Sequence, residues 1–126
     1  MIVLDTHVWL WWTAAPQKLS RAAARAIDRA DRIGVSTISV FELVELAERR
    51  RIKLDSPAGA WVRDALARER VEPVPVTSDI AVEAARLRFV RDPVDRIVYA
   101  TARVEDAQLV TRDQRMREFD AERTVW

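Results

Sequence analysis

The chain has 126 residues, of which 49% are hydrophobic and 33% charged, and a formal net charge of +1; these values suit one domain over residues 1–126 and exclude a disordered chain. The absence of cysteine excludes disulfides, cysteine-type zinc sites and thiol catalysis. No apolar run approaches the roughly 18 residues that cross a bilayer, and the start lacks the layout of a secretion signal, so a cytoplasmic protein with no membrane partner is expected.

"MIVLD" reads as a short, fully apolar strand ending on a carboxylate. "HVWLWWTA" follows as a helix that stops near Pro16; Trp9 and Trp12 share one face, expected to pack on the sheet, and Trp11 lies away from it. Ser20 is placed to cap a helix through about Arg32, with Ala23, Ala24, Ile27 and Ala30 on one side. "IGVS" is a second strand, and Ser39 is expected to open a helix from Val40 to about Arg51. Asp55 or Ser56 with Pro57 begins another, to about Arg70. In "VEPVPV" the two prolines forbid helix and suggest a sheet edge. Thr77 or Ser78 starts a helix through about Val90, and Asp92 with Pro93 forms an N-cap and first-turn pair for a helix to about Asp106. "QLVT" is a strand, Asp113 to Phe119 a short helix, and "RTVW" a final strand. Short apolar strands alternating with helices imply an α/β domain whose parallel sheet is covered on both faces.

Ligands in such sheets bind beyond the carboxyl ends of the strands. Asp5 ends the first strand, Glu42 lies in the helix after the second, Asp95 opens the helix that feeds the fourth, and Asp113 lies just past that strand. Glu42 sits among the apolar Val40, Phe41, Leu43 and Val44, which suggests a pocket-facing carboxylate. Asp92 has a sufficient role as a helix cap. Several carboxylates on one rim raise each other's pKa unless a cation is present. Oxygen ligands without cysteine suit Mg²⁺ or Mn²⁺. His7, the only histidine, is expected to be a helix-start residue rather than a catalyst, since no serine is placed to complete a triad. The arginine clusters at 21–32, 49–51 and 112–117 read as solvated helix faces. No phosphate-binding glycine loop and no G-x-S-x-G elbow occurs.

These residues match a known pattern. "LDTHVWLW", "VSTISVFELVEL", "DPVDRIVYATA" and "LVTRD" resemble, in order, the four acidic motifs of the PIN-domain ribonucleases, and most closely those of VapC-type toxins of toxin–antitoxin modules. The resemblance spans nearly the whole chain, with Tyr99 standing where the family usually has an aliphatic or small residue. It implies a three-layer α/β/α domain with a five-stranded parallel sheet. It also implies RNA cleavage dependent on Mg²⁺ or Mn²⁺, held by Asp5, Asp95 and Asp113 with Glu42 completing the set. Arg96 and Arg112 would hold phosphates, and Thr6 and Thr111 would either orient a ligand or cap helices. The implied partners are an RNA substrate, a second copy in a homodimer and a cognate antitoxin in a toxin–antitoxin hetero-oligomer, with operator DNA bound only through the antitoxin. The side of the first helix away from the sheet is a candidate surface for a second copy or the antitoxin.

Rival readings fit less well. A phosphotransfer receiver domain needs a lysine near the last strand, whereas the two lysines here are Lys18 and Lys53. A haloacid-type phosphatase needs Asp-x-Asp after the first strand, where this chain has "DTH". The alternative from another class is a catalytically weak or inactive PIN domain serving as a protein-binding scaffold.

Overall fold

Successive residues of the first strand point to opposite faces, and this alternation sets the layers. In the computed structural model, which describes residues 1–126, strand β1 (Ile2–Leu4) sends Ile2 and Leu4 into one core and Val3 into another. Helices α1 (Thr6–Ala14), α2 (Arg21–Arg29) and α4 (Ala58–Leu66) cover the first face through Trp9, Ile27 and Trp61. Helices α5 (Ser78–Arg86), α6 (Pro93–Val104) and α7 (Gln114–Phe119) cover the second through Ile80, Val98 and Met116. Helix α3 (Thr37–Glu48) serves both, with Leu43 in the first core and Ile38 against the second. The three-layer architecture implied by the resemblance is therefore present. No helix is long and apolar enough to cross a membrane.

Strands β1, β2 (Ile33–Ser36), β3 (Val71–Val74), β4 (Gln108–Val110) and β5 (Thr124–Val125) form a five-stranded sheet in the order β3-β2-β1-β4-β5. Every neighbouring pair is parallel. The chain moves outward from β1 to β2 and β3, then returns to the other side of β1 for β4 and β5. β3 is an edge, as its prolines suggest. The Arg70 carbonyl accepts the Ile33 N–H at 2.8 Å, so by alternation residues 72 and 74 face β2 while Pro73 and Pro75 face outward.

The caps at Ser20, Thr77 and Asp92 form as expected, and Asp113, expected as the first residue of its helix, caps it instead; each side chain accepts a first-turn backbone N–H. Helix α3 differs. It is capped by Ser36, the last residue of β2, and starts three residues before the expected Val40; Ser39 is buried inside it. Four helices stop short of their expected ends. α2 ends at Arg29, α4 at Leu66 and α5 at Arg86, where the chain must extend again, and α3 ends at Glu48, just ahead of Arg50 with its positive φ of 56°. Arg70 takes a positive φ of 70° on entering β3, and its guanidinium donates to the carbonyls of Ile27 (3.0 Å) and Ala30, closing the end of α2.

The tryptophans divide as their spacing implies. Trp9 is fully buried and meets Trp61 edge-on at 5.3 Å, and Trp12 packs at the margin of the same core with the Arg68 guanidinium 3.8 Å above its ring. Gly34 lies in β2 where a Cβ would stand 3.0 Å from Val74 Cγ2 and 3.3 Å from Met1 Sδ. Gly34→Val is therefore expected to cost about 1–3 kcal/mol through overpacking. Urea unfolding measures this, and adding Val74→Ala should recover part of the loss; additive losses would show that the crowding lies elsewhere.

Candidate active site

Because the chain leaves β1 in one direction and returns to β4 in the other, a crevice opens beyond the carboxyl ends of these two strands. Asp5 is the first residue past β1. Its backbone N–H donates to the Val110 carbonyl at 3.0 Å, which fixes it beside β4. Asp5 Oδ1 accepts the Thr6 N–H at 2.8 Å and Oδ2 accepts the Thr111 hydroxyl at 2.7 Å. The Thr111 oxygen in turn accepts the Asp113 N–H at 3.0 Å, and Asp113 Oδ1 accepts the Met116 N–H at 3.0 Å. One buried hydroxyl thus ties the ends of both strands together. On the other side the Thr6 hydroxyl donates to that of Ser39 at 2.9 Å, joining α1 to α3.

Above this network lies a cleft of about 410 Å³ lined by Asp5, Glu42, Asp92, Asp95 and Asp113, with Arg112 as its one arginine. His7, Val8 and Trp11 of α1 complete the wall. Glu42, Asp92 and Asp95 each bring one carboxylate oxygen within 4.8 Å of the other two. None of the five carboxylates forms an ion pair within the chain. Burial, followed by the charges of Asp5, Asp92, Glu42 and Asp113, pushes the Asp95 carboxyl up to about 7. Burial also raises Asp5, against the hydrogen bonds from Thr111 and Thr6. It raises Glu42 as well, against the nearby Thr6 hydroxyl.

The structure brings Asp5, Glu42, Asp95, Asp113 and Arg112 to one cleft, and places Thr6 and Thr111 beneath it as hydrogen-bonding supports. Arg96 is elsewhere. Its guanidinium donates to the Leu87 carbonyl at 3.4 Å and lines a small depression with Ala81, Ala84 and Ile97, a correction to its expected place among the phosphate-holding residues. Its neighbour Asp95 faces the cleft, and one helical step of about 100° turns Arg96 aside. Asp92 was read from sequence as a cap alone. It does cap α6, its Oδ1 accepting the Val94 N–H at 2.8 Å, and it also joins Glu42 and Asp95 in the tight group. The signal was its spacing, three residues before Asp95 on the same helical face.

Comparisons with known proteins agree with this geometry. The PIN domain family model matches residues 2–122. Ribonuclease VapC22 of Mycobacterium tuberculosis is 44% identical over 99% of this chain and 98% of its own length. The chain belongs to the PIN domain family, in its VapC group. Among solved structures, VapBC2 from Rickettsia felis bound to a promoter DNA fragment shares the PIN fold at a TM-score of 0.70 and 16% identity, covering 98% of this chain and 97% of that one. VapC20 of Mycobacterium tuberculosis, a sarcin–ricin-loop-cleaving toxin, does so at 0.62 and 21%, covering 86% and 85%. At these identities the likeness is one of fold.

The donor set of this PIN site suits a hard divalent cation, since it offers only carboxylate oxygens and their unneutralised charge favours cation binding. The raised carboxyls also fix a pH dependence. Between the ordinary aspartate range and about pH 7 the folded chain holds protons at Asp95 that the unfolded chain has released. The metal-free fold therefore loses stability as pH rises through that window. Differential scanning calorimetry in chelator should show a higher Tm at pH 5 than at pH 8. Asp95→Asn should raise the Tm at pH 8 by a few degrees, as roughly 1 kcal/mol would, and flatten the profile. An unchanged profile in the variant would remove Asp95 as its source.

Proposed function

We propose that this chain is a metal-dependent endoribonuclease toxin, inhibited by a cognate antitoxin and acting in the cytoplasm. The observation that carries the reading is the convergence of Asp5, Glu42, Asp92, Asp95 and Asp113 on one cleft without an ion pair among them. Acids kept for stability are normally paired or spread apart, and a scaffold-only PIN domain has no need of such a group. The kinship to a ribonuclease named VapC22 supports RNA as the substrate.

In this reading Asp5, Glu42, Asp92, Asp95 and Asp113 hold Mg²⁺ or Mn²⁺. A divalent ion so held supplies activation of water and charge stabilisation at a phosphodiester. The chain's own part is positional. Thr111 locks the Asp5 and Asp113 ends together, Thr6 and Ser39 hold α1 against α3, and Arg112 is placed to bind a phosphate oxygen. The shared fold with the VapBC2 complex bound to promoter DNA supports an antitoxin partner; in this reading the two form a hetero-oligomer built on a homodimer, with operator DNA contacted through the antitoxin.

Labelled RNA incubated with Mn²⁺ or Mg²⁺ should be cut by the chain and spared in chelator, and Asp5→Asn should slow cutting by about a hundredfold or more. Equal cleavage by both forms, or indifference to chelator, would sink the metal-nuclease reading. Expression without the antitoxin should slow growth, and Asp95→Asn should relieve it. Equal growth at equal protein level would remove the toxin role while leaving the nuclease assay to stand alone.

A further inference from the structure

The wall of the acidic cleft contributed by α1 is aromatic. His7 and Trp11 lie one helical turn apart on the same face, with ring centroids 5.8 Å apart, and both line the cleft beside Asp5 and Asp113. Trp126, beyond the end of β5, also meets Trp11, with ring centroids 5.8 Å apart and planes tilted by 54°. Trp11 is therefore steadied by two tilted ring contacts, half-buried, with part of its surface open to the cleft. The core does not require it, since Trp9 and Trp12 fill that role on the other side of the helix. Arg112 shares the cleft with this aromatic wall.

From this geometry we infer that Trp11 is a stacking platform for one unpaired base of the RNA, next to the phosphate held at the acids. The inference rests on the ribonuclease reading and adds a substrate-holding residue to it, Trp11, acting on one extruded base. The chemistry favours this occupant. A nucleotide strand brings a flat apolar face and a phosphate together at the spacing of one residue, and the cleft offers an indole face, an arginine and a site for cations side by side. A base inside a duplex keeps both faces stacked on its neighbours and has none to offer. Base–aromatic stacking is tolerant of base identity and strong enough to matter, on the order of tenfold or more in affinity per base. Bracing by His7 and Trp126 reduces the motion the indole would otherwise lose on binding.

The test uses the full chain carrying Asp95→Asn, so that binding is read without cleavage. The probe is a six-nucleotide single-stranded RNA series with 2-aminopurine at each position in turn. Adding Trp11→Ala should weaken binding about tenfold, and adding Trp11→Phe by less than about threefold. One probe position should be quenched on binding to the Trp11 and Phe forms and not to the Ala form. A duplex of the same sequence should bind the Trp11 and Ala forms alike. Equal affinity of the Trp11 and Ala forms for the single strand would overturn the inference, and so would a protein partner seated on Trp11 with RNA affinity unaffected. Should Trp11→Ala fail to fold, the Trp11 form must still prefer single strand over duplex by about tenfold and quench the probe, and failure of either overturns the inference. The two readings fail separately, because loss of cleavage by the parent chain counts against the nuclease, and unchanged binding on loss of the indole counts against the platform.

Discussion

Carboxylates from four separated segments face one another across one cleft with no ion pair to neutralise them, and two such charges about 4 Å apart repel by about 4 kcal/mol at an effective dielectric near 20. Left to local preference, flexible acids would swing apart into water. Here they cannot, because each is anchored through its backbone to a rigid element. Asp5 is bonded into β4, Asp113 caps α7, Asp92 caps α6, and Glu42 projects from a helix packed on both cores. The fold holds the charges together and leaves their neutralisation to protons or to a cation.

Neutral hydroxyls, and not arginines, do the holding. Thr111, Thr6 and Ser39 are all buried and spend their hydrogen-bonding capacity on the acids, on one another and on the backbone around the site. A guanidinium in their place would stabilise the metal-free fold and cancel the field that attracts a cation. The same economy explains why the buried polar residues, apart from Thr101 within α6, cluster at one end of the sheet, since apolar strands need no such partners further down.

Much of the fold was legible in the amino-acid sequence because its signals are local. The β-branched apolar run of Ile2 and Val3 with Leu4 favours a buried strand, and Ser20, Thr77 and Asp113 cap helices through their own side chains. Helix ends were less legible. Residues 67–70 and 87–90 are compatible with helix, and their departure from it is imposed by the need to enter β3 or to reach Asp92. Arg70 shows this most clearly, a non-glycine residue in left-handed geometry whose side chain is bonded to another helix. In the site, the acids nearest strand ends were readable, whereas the turning aside of Arg96 and the double duty of Asp92 depend on the azimuth of α6 on the sheet. Tyr99, unusual for the family position, is accommodated because its hydroxyl reaches Asp120 at 2.7 Å and its ring packs edge-on against Phe89 and Phe119.

Pro73 in β3 and Pro75 just past it bear on how copies of the chain can meet. An open sheet edge is a template on which another strand can add, yet here the outer N–H positions at 73 and 75 have no hydrogen to give. The opposite edge, β5, is only two residues long. Neither border offers a long row of free N–H groups to a neighbouring strand. Any self-association must then be written in side chains on helical faces, where it is selective, and strand-by-strand polymerisation has no ready border to start from.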